Sequence, residues 1–80
     1  MATVVFSTEL QRLTREEKCE IKVRDYRDLV KQVTERYPAL RAEDLMNMAV
    51  AIDGVIIHDP LLETLDPNSE VHFLYRISGG

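Results

Sequence analysis

The chain has 80 residues, with 10 Lys and Arg against 14 Asp and Glu, a net charge of −4 with His neutral. At 45% hydrophobic and 30% charged it has the composition of an ordinary globular domain, neither disordered nor membrane-spanning. No stretch approaches the ~18 apolar residues of a transmembrane helix, and the acidic balance argues against nucleic acid, which needs a concentrated cationic face.

Thr3-Val4-Val5-Phe6-Ser7 is rich in β-branched and aromatic residues and predicts a first strand. Leu10 and Leu13, three apart, allow a short helical turn or an irregular arm. The charged stretch 14–18 has no hydrophobic anchor and reads as an exposed turn. Residues 19–24 then alternate apolar and charged, a period of two that predicts a half-buried strand with Cys19, Ile21 and Val23 inward.

Asp25 opens a helix. Its short carboxylate can accept first-turn N–H groups, and Asp28 suits the positive end of the dipole. Tyr26, Leu29, Val30, Val33 and Tyr37 form one apolar stripe, and Pro38 ends the helix by disfavouring helical geometry at Tyr37. A loop follows through Arg41 and Glu43. Asp53-Gly54 before Val55-Ile56-Ile57 signals a type I′ hairpin, which predicts antiparallel strands at about 46–52 and 55–57. Leu62 and Leu65 are expected to plug the core from a short turn. The last strand is expected over 70–77, with Val71, Phe73, Tyr75 and Ile77 on one face and His72, Leu74 and Arg76 on the other. The pattern predicts a two-layer α+β domain over 1–77, a mixed sheet of about five strands with one main helix on one face, and a tail at 78–80.

A chain of this size buries only about 60% of its unfolded surface, which favours an interaction module or carrier over an autonomous enzyme. Ser7, Ser69 and Ser78 lie in no nucleophile-elbow context, and the chain's three glycines make no phosphate loop. His58 and His72 lack the partners of a metal site and read as rim residues. Cys19 is the one cysteine, so it forms no internal disulfide, and it reads as core filler in a reducing compartment. Glu16-Glu17 is read as a solvated turn, and Met46 and Met48 as strand packing. The start lacks the basic and apolar regions of a secretory signal, so the cytoplasm is the expectation.

The terminus stands apart. With glycine at about 7% of residues, two given terminal positions are both Gly in roughly one chain in 200. Here Gly79-Gly80 directly follows the expected final strand. Without Cβ, such a tail can thread a narrow channel, and its terminal carbonyl is unhindered. A carboxylate must be activated before acyl chemistry, for instance as an acyl-adenylate, and a partner must supply that ATP site and Mg²⁺. Frayed terminal glycines are the alternative.

The strand order, the Asp53-Gly54 hairpin and the ending Glu70-Val71-His72-Phe73-Leu74-Tyr75-Arg76-Ile77-Ser78-Gly79-Gly80 resemble the ThiS/MoaD sulfur-carrier family, which has the ubiquitin-like β-grasp fold. The length and the Arg12–Lys18 arm are most similar to the small subunit of molybdopterin synthase, although Tyr75-Arg76 stands where those members commonly carry Pro-Pro. The resemblance implies that an E1-like enzyme adenylates Gly80 using ATP and Mg, and that this carbon becomes a thiocarboxylate. It implies a sulfur donor protein and an acceptor synthase or biosynthetic enzyme as further partners. Ser78 and Gly79 would keep the tail slim, and the chain itself would bind no cofactor. Leu74, flanked by His72 and Arg76 on the uncovered sheet face, is the expected docking anchor for the activating enzyme. A ubiquitin-like modifier joined through Gly80 and a non-covalent β-grasp interaction domain remain as alternatives.

Overall fold

The computed structural model describes residues 1–74. The alternating pattern of the N-terminus forms strand β1, Ala2–Val5. It ends two residues short of the expectation because Ser7 caps a helix, its side chain accepting from the Leu10 N–H. That helix, α1, spans Thr8–Thr14 and buries Leu10 and Thr14. The stretch at 14–18 is exposed from Arg15 to Lys18 as expected, but Thr14 is buried and ties it down. Thr14 Oγ1 donates to the Glu16 carbonyl and accepts from the Glu16 N–H, while Arg15 takes the left-handed conformation (φ 60) that closes α1.

Strand β2 is Lys18–Ile21. The predicted inward set of Cys19, Ile21 and Val23 is buried, although the ladder itself ends at Ile21. Helix α2 runs Tyr26–Arg36, and Asp25 caps it by accepting from the Asp28 N–H at 2.8 Å. Tyr26, Leu29, Val30, Val33 and Tyr37 are all buried, as their spacing predicts.

The next segment departs from the expectation. Residues 42–46 form a short helix, α3 (Ala42–Met46), where the hairpin signal had suggested loop and then strand. Glu43 and Asp44 suit its N-terminal dipole, and Leu45 is its fully buried anchor. Strand β3 therefore begins only at Ala49 and runs to Ile52. Met46 and Met48 do not share a strand face: Met46 ends the helix exposed, while Met48 is buried in the turn that follows. The hairpin itself is as expected, with Asp53 and Gly54 at φ 50 and 84 and strand β4 at Val55–Ile57.

A 3₁₀ turn at Pro60–Leu62 follows. Leu65 plugs the core as expected, but Leu62 does not and is 85% exposed. The reason is local. Pro60 takes the inward side of the turn, and the Leu65 N–H bonds the Arg24 carbonyl while Glu63 accepts from the Tyr26 N–H. Those bonds seat Leu65 and leave Leu62 outside. Strand β5 is described over Glu70–Leu74. The expected strand positions Tyr75, Arg76 and Ile77, and the tail Ser78, Gly79 and Gly80, lie outside the described residues.

The sheet order is β2-β1-β5-β3-β4. The outer pairs are antiparallel, and β1 runs parallel to β5 at the centre, which makes the sheet mixed. Helix α2 covers one face, burying Val4, Val50, Val71 and Phe73 beneath Leu29 and Val33. The edge strands differ: Lys18 and Glu20 are exposed on β2, Val55 and Ile56 on β4.

Two substitutions test this account by urea denaturation. Leu29→Ala is expected to lower stability by about 2–5 kcal/mol through a core cavity. Asp25→Ala is expected to lose about 1 kcal/mol with the cap, and an unchanged midpoint would contradict the capping role.

Candidate functional site

Alternation along β5 sends Val71 and Phe73 into the core and turns Glu70, His72 and Leu74 to the face that no helix covers. Register shows what joins them. Val5 pairs with His72 and with Lys18, and Ala51 pairs with His72 and with Ile56. Lys18, Val5, His72, Ala51 and Ile56 thus form one row across all five strands. Ala49 stands opposite Leu74 in the next row, and Thr3, Glu20 and Glu70 fill the row on the other side.

The open face is therefore an apolar band of Val5, Leu74, Ala51 and Ile56, with Ala49 buried opposite Leu74, Lys18 at one end and carboxylates along one flank. His72 is central, and its Nε2 lies 2.6 Å from Glu70 Oε1. The carboxylate fixes the ring's orientation, so His72 presents a defined surface. Two predicted docking residues, His72 and Leu74, are adjacent on this face, both half-buried. Arg76, the third, lies outside the described residues, as do Ser78, Gly79 and Gly80.

Val5, Ala49, Ala51 and Ile56 belong to the face but carry no signal in the sequence alone. Val55-Ile56-Ile57 does not alternate, and only pairing register brings β1 and β3 beside β5. A tie at the hairpin turn holds this arrangement: the Glu70 N–H donates to Asp53 Oδ1 and the Asp53 N–H to the Glu70 carbonyl, both at 2.9 Å.

Cys19 lies on the opposite, covered face, 4% exposed. Burial pushes its thiol above the ordinary value, with the Tyr37 contact pulling weakly the other way. Glu16, exposed in its turn as expected, also accepts from the Tyr37 hydroxyl at 3.0 Å. Tyr37 is pushed up to about 12, first by burial and then by that bond to Glu16. This cluster pins the end of α2 and carries no nucleophile. Among the described residues no group of three His, Cys, Asp or Glu could hold a metal ion, and no helix is long and apolar enough to cross a membrane.

A family model described as the ThiS family matches residues 4–80. The chain belongs to the ThiS family. Three solved structures share its fold. Small archaeal modifier protein 1 from Methanosarcina acetivorans superposes with a TM-score of 0.81 at 19% identity, over 99% of this chain and 95% of that one. A putative molybdopterin converting factor, subunit 1, from Pyrococcus furiosus gives 0.76 at 15% identity, over 95% and 97%. A complex of subunits 1 and 2 of molybdopterin-converting factor from Helicobacter pylori 26695 gives 0.67 at 25% identity, over 99% and 97%. No curated protein sequence matches significantly. The fold of this sulfur-carrier family member is accordingly the ubiquitin-like β-grasp, as the resemblance implied.

The Tyr37 cluster makes a prediction about alkaline pH. The folded chain holds the phenol proton more tightly than the unfolded one, so its contribution to stability is full below pH ~10 and is lost as pH rises toward about 12. Tyrosinate absorbance should show a late titration step that Tyr37→Phe removes; an unaltered titration curve would contradict the assignment. Cys19 should resist thiol reagents in the native state and react on unfolding.

Proposed function

We propose that this chain is a sulfur carrier whose C-terminal Gly80 is the covalent attachment point. The family match carries the reading, because it extends through Gly80. The carboxylate of Gly80 would attack the α-phosphate of ATP on an E1-like enzyme, releasing pyrophosphate. A persulfide on a donor protein would then displace AMP to give an acyl disulfide. A second thiol attacking the donor's own sulfur would break the S–S bond, releasing the thiocarboxylate for an acceptor enzyme and leaving the donor as a disulfide. ATP and Mg²⁺ belong to the activating partner, and this chain is a co-substrate. Gly79 and Ser78 give the stalk its narrow profile, since glycine has no Cβ and serine little bulk.

The open sheet face is the handle for these partners. Leu74 supplies an apolar anchor beside His72, Arg76 a cation four residues before Gly80 in the sequence, and Glu20 and Glu70 a negative flank for a basic surface. The Helicobacter protein is a complex of two molybdopterin-converting subunits, which supports a synthase subunit as one acceptor here. A second reading is protein modification through an isopeptide bond, and the neighbour named a modifier favours considering it.

Mass spectrometry of protein isolated from its own cells separates the two. A carrier shows an oxygen-to-sulfur change confined to Gly80, and deletion of that residue abolishes it. A ladder of heavier conjugates would establish the modifier reading, and a chain inert to every activating enzyme would overturn both. Leu74→Asp is expected to reduce activation by about 10- to 100-fold while the melting temperature stays unchanged. Activation at the normal rate would refute the docking role.

A further inference from the structure

On the helical layer, away from the open sheet face, lies a second unfilled surface. A groove of about 320 Å³ runs between α2, α3 and the 3₁₀ turn. Val30, Thr34, Ala42, Met46 and Leu61 line it. Its apolar lining is open: Met46 is 42% and Leu61 37% exposed. Leu62, which the sequence pattern assigns to the core, stands at 85% exposure next to Leu61.

Arg27 and Lys31 complete the lining. They sit four residues apart on α2, so their charges lie one helical turn apart on one face. Among the described residues neither forms an ion pair, although the chain as a whole carries −4. The carboxylate of Asp28, a nearby acid of α2, accepts from the Gln32 side-chain amide at 3.1 Å. Asp59 lies beyond Leu61, where a smaller hollow continues toward Tyr26 and Pro60. The groove is thus apolar along its length and cationic on its α2 side.

We infer that this groove binds an acidic amphipathic helix of a partner protein. Apolar side chains at i, i+3 or i+4 would fill the space between Val30, Met46 and Leu61. Carboxylates one turn apart on that helix would face Arg27 and Lys31, which steers encounter and sets orientation. A second copy of this chain fits poorly. A two-fold pairing through the groove would set these cations against their own copies. The inference does not rest on the carrier reading, and a partner seated here leaves the open sheet face unobstructed.

The test is a two-dimensional NMR titration of the isotope-labelled full chain with synthetic helical peptides. One carries Leu at i, i+3, i+4 and i+7 with Glu elsewhere; a matched peptide carries Lys instead of Glu. The Glu peptide is expected to shift the amide signals of Arg27, Val30, Lys31, Ala42, Met46 and Leu61. Its binding should weaken at least about tenfold in the Arg27→Glu, Lys31→Glu double variant. Both side chains are exposed, so the variant should melt as the parent does. Leu61→Asp should weaken binding without altering the preference for Glu over Lys. Equal binding of the two peptides, shifts on the open sheet face alone, or groove signals that move with protein concentration and not with peptide would each overturn the inference.

Discussion

Thr3, Val4 and Val5 lie beside Glu70, Val71 and His72 in a parallel ladder at the middle of the sheet. Parallel neighbours cannot be joined by a tight turn, so all that comes between must leave the sheet and return. That requirement places α2 across one face, hangs β2 on one side, and sends β3 and β4 to the other. It also buries Val4 and Val71 completely, at the contact that no local segment could make alone. The ladder joins the two ends of the described chain, so its formation coincides with completion of the core.

The same strand serves two masters through its pleat. Val71 and Phe73 hold the core, and the intervening His72 and Leu74 belong to the open face. A one-residue slip of β5 would exchange these sets and expose Val71 and Phe73. The reciprocal bonds between Asp53 and Glu70 guard against that slip, because they fix β5 at its first residue to the hairpin turn. The geometry of the open face is therefore inherited from the core, not built by a loop of its own.

Much of this was legible before any coordinates. Asp25, the stripe from Tyr26 to Tyr37 and Pro38 each point to the same helix, and Asp53-Gly54 can form few turns other than the one observed. Cys19, Ile21 and Val23 declare their side by alternation. What remained hidden was whatever depends on distant chain. Helix α3 is a single turn whose N-cap residue, Arg41, makes no side-chain cap bond, so it leaves little local trace. Leu62 looks like core in the sequence and is excluded only because Pro60 and Leu65 occupy the inward positions. Of the open face, β5 alone named His72 and Leu74; Val5, Ala49, Ala51 and Ile56 joined them through register. The groove by Arg27 and Lys31 was equally silent, because those residues read as a solvated helix side.

The two rims of the sheet face different hazards. On β2, Lys18 and Glu20 point outward, and charged side chains discourage a stray strand from adding to the ladder. On β4, Val55 and Ile56 are more than half exposed and offer no such deterrent. Brevity does the guarding there: β4 is three residues long, between a glycine-containing turn and His58-Asp59-Pro60, and Pro60 has no amide hydrogen to offer. Lengthening that strand by even a couple of apolar residues would turn a tolerated margin into a seed for fibrous self-association.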